Sequence, residues 1–399
     1  MDRTPITVAG QRQGVAHPLE SLRARGGVSV PVQALYIHVP FCFHKCHYCD
    51  FYSIVDTRDR QGPFTDRLIA ELAHIAPLAG TLTSIFVGGG TPTLLRTDLW
   101  ARLLATLHDR FELGGAEFTV ECNPETASDE LFGTLANGGV NRISIGAQSF
   151  NPRHLKTLER WHDPANVGRA IELARSAGIA RQSVDLIFGI PGQTLADWEA
   201  DLNEAVMFGV EHLSCYALTY EPNTAMTARM ERGQFEPADE DLEADMLQLT
   251  LDTLRARGYD RYEVSNYARP GAECSHNLAY WRQEQWLAAG PSASGHVAGW
   301  RWKNVPRLDS YLSAPSARGV PPAIDVEEPD ARRAMAERIM TGLRLREGID
   351  ASELPGGLHA EALRQHERGH LEIDGDRWRL TDRGMMLADG IAAEFMGLL

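Results

Sequence analysis

The chain has 399 residues, with 39 basic and 54 acidic side chains and a formal net charge of −15. That balance excludes broad non-specific binding to nucleic acid, which depends on neutralising phosphates, and no apolar run approaches the roughly 20 residues that span a bilayer. Six cysteines in so long a chain, three of them between positions 42 and 49, suit a reducing cytosol better than a disulfide scaffold.

Residues 1–33 show no periodicity and no continuous apolar core of a signal peptide. They read as a loose extension, with a short helix around Leu19–Arg25. From Ala34 the pattern becomes regular. β-rich runs fall at Leu35–Val39, Ser84–Val87, Phe118–Glu121, Arg142–Gly146, Ser183–Phe188 and His212–Ala217. Helix-length segments separate them at Phe64–Ile75, Asp98–Arg110, Asp129–Asn137, Pro164–Ala177 and Leu195–Phe208. Strand–helix alternation implies parallel strands joined by crossovers, an α/β fold. Six such units make a partial TIM-like (β/α)6 barrel; pattern alone does not separate this from an open doubly wound sheet. In both, ligands gather at the carboxyl ends of the strands.

Directly after the first strand come Cys42, Cys46 and Cys49, spaced C-x3-C-x2-C. Thiolates ligate iron–sulfur clusters, and three of them leave one iron of a four-iron cube free for a small chelating molecule. A disulfide lacks any secretory marker. A zinc site would have four ligands, and the second C-x2-C is missing, although His44 and His47 lie in the loop. After the second strand, Gly88-Gly89-Gly90-Thr91-Pro92-Thr93 permits close approach of backbone to a ligand, or is an ordinary βα turn. Later strands end in or carry Glu121, Gln148 and Asp185. Asp185 sits in an otherwise apolar strand and needs a partner; a ribose, a charged neighbour or a structural cap would each serve.

The region from about 222 to 315 is less regular. Asp239–Arg257 reads as a helix. Then comes Cys274-Ser275-His276-Asn277-Leu278-Ala279-Tyr280-Trp281. Histidine is a common ligand of heme iron, Tyr and Trp offer flat apolar faces, and Cys274 is a second candidate ligand. Chemistry alone favours a satisfied core histidine here. From about 328 the chain reads as a separate C-terminal unit: helices at Arg332–Arg344 and Leu358–His370, a hairpin over Leu371–Thr381 turning at Asp374-Gly375, and a helix from Gly384 to Met396. The order resembles a winged helix. The acidic composition favours a structural or partner-facing role over DNA binding. The expected division is 1–33 extension, 34–230 barrel, 231–327 connecting region and 328–399 C-terminal domain.

Together the cysteine spacing, Tyr36, the Gly-Gly-Gly-Thr-Pro-Thr tract, Glu121, Gln148, Arg160 and the run Asp185-Leu186-Ile187-Phe188-Gly189-Ile190-Pro191-Gly192-Gln193-Thr194 resemble the radical S-adenosylmethionine (SAM) proteins of the coproporphyrinogen-dehydrogenase-like branch. The likeness covers residues 34 to 345. It implies a 4Fe-4S cluster on Cys42, Cys46 and Cys49, with SAM on the remaining iron. It also implies that Tyr36 and Tyr48 pack at the cluster and adenine, that Gly89, Gly90 and Thr91 meet the methionine end, and that Glu121, Gln148, Arg160 and Asp185 contact SAM. The dehydrogenase is expected to carry a further cysteine two residues after the third ligand. Here Cys49 is followed by Asp50-Phe51-Tyr52, a form that resembles the HemW group of heme chaperones.

That resemblance implies heme as a further ligand, bound through His276, Asn277, Tyr280 and Trp281 with Cys274 nearby. The implied task is delivery of heme to apo-hemoproteins such as respiratory enzymes. The implied setting is the cytoplasm or the periphery of the inner membrane, with flavodoxin or ferredoxin as reductant, a homodimer as the assembly and no nucleic-acid partner. The resemblance leaves three rival activities: oxygen-independent decarboxylation of coproporphyrinogen III, radical methyl transfer, and RNA modification. The missing cysteine argues against the first. The His-Asn-x-x-Tyr-Trp string has no evident use in the second, and the acidic composition disfavours the third.

Overall fold

A computed structural model describes residues 17–24, 31–314 and 319–399. The expected extension therefore lies outside the described residues except for 17–24 and 31–33, where α1 (Pro18–Ala24) forms the short helix.

All six expected strands form, each preceded or followed by its helix: β1 (Val32–Val39), α2 (Gln61–Ile75), β2 (Ala79–Gly89), α3 (Thr97–Arg110), β3 (Glu117–Cys122), α4 (Asp129–Asn137), β4 (Arg142–Gln148), α5 (Pro152–Thr157), α6 (Ala165–Ser176), β5 (Arg181–Phe188), α7 (Leu195–Met207) and β6 (His212–Ala217). They pair in parallel in chain order, β1 through β6.

The sequence of these strands explains why the sheet curves around a hollow. Leu35, Ile37 and Val39 of β1, Ile85 and Val87 of β2, Val120 of β3 and Ile143 and Ile145 of β4 are fully buried against helix residues such as Phe64, Leu68, Trp100 and Leu103. Their alternate neighbours point the other way, as strand pleating requires. Those neighbours are Tyr36 and His38, Ser84 and Phe86, Thr119 and Glu121, Arg142 and Ser144, Ser183 and Asp185, and His212, Ser214 and Tyr216, and all of them line one cavity except Ser84. Ser84 is buried beneath that cavity, bonded to His276 (Oγ to Nδ1, 2.9 Å). The apolar face builds the core, and the polar face is left for chemistry.

The region expected as irregular continues the same sheet. After α8 (Ala225–Glu231) and α9 (Glu240–Ala256), the short strand β8 (Asn266–Ala268) adds antiparallel to β6, and β7 (Asp260–Arg261) adds antiparallel to β8. After α10 (Ser275–Trp281), β9 (Trp286–Ala289) joins β1 in parallel. Then β10 (Ser294–Val297), β11 (Trp300–Asn304) and, past α11 (Leu308–Ser313), β12 (Ala323–Glu327) extend that edge antiparallel. The result among the described residues is a 12-stranded sheet. Strands of two to five residues carry too little periodicity to read from sequence.

The C-terminal segment comprises α12 (Ala331–Gly342), β13 (Ile349–Asp350), α13 (His359–Glu367), β14 (Leu371–Asp374), β15 (Arg377–Leu380), α14 (Asp382–Met386) and α15 (Ala388–Met396). Its three-stranded sheet and its apolar cluster around Trp378, Ile339 and Phe395 are separate from the barrel's. The expected hairpin forms. The expected single helix from Gly384 to Met396 is instead two helices broken at Leu387, whose φ of −112° and ψ of 17° leave the helical region.

Candidate cluster and cofactor site

Cys42, Cys46 and Cys49 are free, half-buried thiols on the loop after β1. Two backbone bonds pin the loop's base, Cys42 N–H to Ile54 O at 2.8 Å and Ile54 N–H to Pro40 O at 2.7 Å. The glycine tract holds it from the side: Gly90 N–H donates to Val39 O (2.8 Å), Thr91 N–H to Phe41 O (2.7 Å), and the Thr91 hydroxyl sits 3.5 Å from Cys42 Sγ. The His44 ring stacks on Trp161 with centroids 4.0 Å apart.

Burial pushes the Cys49 thiol up to about 11, and Cys46 and Cys42 contribute by their own charge. Burial raises the Cys42 thiol as well, so a neutralising cation favours the thiolate form of these two. Arg160 brings a guanidinium to the loop, with Nη1 3.8 Å from Cys46 Sγ. Among the described residues no three His, Cys, Asp or Glu side chains converge to the spacing of a single metal ion. Three half-buried thiols on one loop are the donor set of a multi-iron cluster.

Behind the cysteine loop opens a cavity of 460 Å³, within the range of sites that enclose small cofactors. Tyr36, Gly89, Glu121 and Asp185 line it, and so do Cys274, His276, Asn277 and Tyr280. The two sets of candidate residues, far apart in sequence, therefore share one chamber. Tyr48, Gly90, Thr91, Gln148 and Arg160 stand around it without forming its wall. Tyr48 packs in a small apolar cluster with Leu158, Ile190 and Met226. Trp281 points elsewhere: it does not line the cavity, and its indole N–H has no hydrogen-bond partner among the described residues.

At the carboxyl ends of the strands, Gly89 N–H donates to Glu121 Oε2 at 3.0 Å. Gly89 has φ of +112°, and an added Cβ would lie 2.5 Å from the His38 ring, so only glycine fits. Ser144 Oγ donates to both oxygens of Asp185, at 3.1 and 2.9 Å. Glu121 is raised from 4.5 to about 7, first by burial and then by the Asp185 carboxylate, against donation from Gly89. Two half-buried carboxylates facing one hollow favour a cationic or hydroxyl-rich ligand. Gln148 sits at a bulge with φ of +58°, and its buried Oε1 has no hydrogen-bond partner among the described residues. A glycine cradle, an orphaned amide oxygen and paired carboxylates fit a ligand of SAM's polarity.

The opposite end of the chamber is closed by α10. Glu117, at the start of β3, accepts from Ser275 N–H at 2.7 Å and pairs with Arg142 at 3.1 Å and Arg181 at 2.9 Å. His276 is 1 % exposed. Its Nδ1 meets Ser84 Oγ at 2.9 Å and its Nε2 meets Tyr280 Oη at 3.0 Å. Burial holds it neutral, lowered to about 3. Both ring nitrogens are thus engaged, the arrangement of a satisfied core histidine, and coordination of iron requires one of those bonds to open. Asn277 donates to Tyr262 Oη and to Glu263 Oε1, both at 3.1 Å. Tyr280 in turn packs on Trp286 with centroids 4.4 Å apart, so the floor and one wall offer flat apolar faces.

Sequence reading missed His38, Arg142, Ser144, His212, Ser214 and Tyr262, all of which line the chamber. The signal was present. In β1 to β6 the polar residues recur at every second position, opposite the apolar ones, a period that marks the inner face of a barrel.

The model of the radical SAM superfamily matches residues 36–205, and that of the HemN C-terminal domain matches residues 330–387. The heme chaperone HemW of Mycobacterium tuberculosis is 38% identical over 370 residues, 91% of this chain and 94% of that protein. HemW of Escherichia coli is 34% identical, covering 92% and 99%. A mitochondrial radical S-adenosyl methionine domain-containing protein 1 from Danio rerio is 31% identical, covering 82% and 77%. The solved structure of E. coli coproporphyrinogen III oxidase (HemN), described as a radical SAM enzyme, superposes with a TM-score of 0.81 at 24% identity over 95% of this chain and 93% of that one. That likeness establishes the barrel fold with its C-terminal domain. No helix among the described residues is long and apolar enough to cross a membrane. On the strength of relatives that match it nearly end to end, the chain belongs to the HemW family within the radical SAM superfamily, for which an iron–sulfur cluster and SAM are the implied cofactors.

Proposed function

We propose that this protein binds heme in the chamber beneath its cysteine loop and hands it to apo-hemoproteins, with respiratory enzymes as the acceptors. The observation that carries the reading is the shared cavity. His276, Asn277 and Tyr280 line the same 460 Å³ hollow as Tyr36, Gly89, Glu121 and Asp185, so a heme at the floor and a SAM at the mouth would sense each other directly. Membership of the family of the HemW heme chaperones supports the heme and the chaperone role.

In this reading Cys42, Cys46 and Cys49 hold the cluster, and Arg160 offsets charge at Cys46. Gly89, Gly90, Thr91 and Gln148 hold the polar end of SAM, and Glu121 and Asp185 receive its cationic and hydroxyl groups. The cluster, when bound, supplies an electron. Phe51 occupies the position where the dehydrogenase is expected to carry its extra cysteine; it is 62% exposed and reaches the cavity lining. An apolar ring there leaves no thiol to serve decarboxylation, which favours carriage of a tetrapyrrole over its chemical conversion.

The test is an anaerobic hemin titration of the cluster-loaded protein, followed by its Soret band. Saturable binding is expected, weakened at least about tenfold in His276→Ala, with the cluster absorbance retained. Cys46→Ser should do the reverse, losing the cluster and keeping heme. No saturable binding, together with turnover of coproporphyrinogen III, would replace this reading with the dehydrogenase.

A further inference from the structure

Among the described residues two basic side chains other than histidine line the chamber, Arg142 and Lys303. Arg142 is fully engaged, by Glu117 at 3.1 Å and by the Ala272 carbonyl at 3.0 and 3.1 Å. The Lys303 ammonium has no hydrogen bond or ion pair to any described residue, and the cavity carboxylates Asp50, Glu121 and Asp185 all lie beyond ion-pairing distance of it. A half-buried ammonium that faces a cavity without a counter-charge loses hydration unless an anion arrives. In a chain with net charge −15, nothing about the overall surface accounts for a lone cation kept in this hollow.

Its place in the sheet says which anion. Lys303 on β11 stands directly opposite Ser294 on β10, and both line the cavity. The neighbouring strand β9 contributes Trp286, whose indole N–H bonds the Ser294 carbonyl at 2.8 Å. Trp286 packs on Tyr280, and Tyr280 on His276 with centroids 4.7 Å apart. The rings of His276, Tyr280 and Trp286 are tilted 57–69° to one another, so a conjugated molecule edged along this row ends at an ammonium and a hydroxyl, donors that a carboxylate accepts from. We propose that Lys303, with Ser294 opposite it, anchors a carboxylate arm of a tetrapyrrole lying along that row. This rests on the heme-carrying reading above and adds to it the group by which the ligand is oriented.

The experiment compares hemin with hemin dimethyl ester, whose carboxylates are masked, on the cluster-loaded full chain of wild type, Lys303→Met and Lys303→Arg. Wild type should bind hemin more tightly than the diester. Lys303→Met should lose about tenfold or more in hemin affinity, bind the diester as wild type does, and keep its SAM affinity and thermal melting. Lys303→Arg should restore most of the loss. Equal hemin affinity in wild type and Lys303→Met would overturn the proposal. So would an equal loss for hemin and diester, which marks a merely structural role, or a fall in SAM affinity, which would give Lys303 to the carboxylate of SAM. Wild type that binds neither heme compound would instead sink the heme-carrying reading, and this proposal with it.

Discussion

Glu121 concentrates the electrostatic tension of the chamber in one side chain. Burial and Asp185 raise it from 4.5 to about 7, and only the Gly89 N–H works the other way. A carboxyl whose folded value exceeds its unfolded one binds more protons when folded. Its stabilising contribution is therefore complete below about pH 4.5 and is lost as pH rises through about 7. In the ligand-free protein, Glu121→Gln should flatten the fall in melting temperature between about pH 4.5 and 7, the window set by those two values. A profile as steep as that of wild type would place the titration elsewhere, Asp185 being the next candidate because its carboxyl is also raised by burial. At this scale the sequence named Glu121 and Asp185 but not their coupling, since the two lie on different strands and meet only across the hollow. Chemistry alone favoured a satisfied histidine at 276 but did not name its partner Ser84, which is 192 positions away.

The helix α10 is the element on which the floor depends, and at seven residues it is too short to be stable alone. Glu117 holds its first turn by accepting from Ser275 N–H while neutralising Arg142, which is 1% exposed as a side chain. Glu117→Ala leaves that guanidinium buried without a carboxylate and should cost about 3–5 kcal/mol, read as a lowered urea midpoint. Glu117→Gln keeps an acceptor for Ser275 and should cost less. If the alanine variant melts like wild type, the floor is held by Asn277 and Glu263 instead. The His-Asn-x-x-Tyr-Trp string was visible in the sequence, but its position was not. A motif read as part of a connecting region closes the amino-terminal end of the barrel, because β9 returns to pair beside β1.

Across the whole molecule, the C-terminal apolar cluster meets the barrel through Val264 and a set of polar contacts. Asp382 of the C-terminal unit pairs with Arg261 at 3.0 Å and with Arg255 at 2.8 Å. Arg261 is 5% exposed as a side chain, so Asp382→Ala should destabilise the docking by about 1–3 kcal/mol. Breaking the exposed Arg282–Glu347 pair, 2.8 Å apart, should cost under about 1 kcal/mol. Calorimetry of both variants checks the contrast, and equal losses would refute it. The Asp382 carboxyl is held below its ordinary 3.8 by its arginine partners, although burial works against them. The pair's contribution is therefore present above about pH 4 and lost as acid protonates Asp382, so wild type should approach the alanine variant in that range.

The amino-acid sequence alone determined the six-unit alternation, the cysteine loop, the glycine tract and the chain order of the C-terminal elements. Each is written locally, in the pleat period of a strand, the spacing of thiols or the freedom of glycine. Only the tertiary structure decided that 12 strands form one sheet, that the polar positions of β1 to β6 converge on a single hollow, and that Lys303 and His276 line it together with Glu121. Those are facts about which distant segments pair. Short strands such as β9 are selected by packing against a neighbour already in place, a preference that no single segment carries in its own residues.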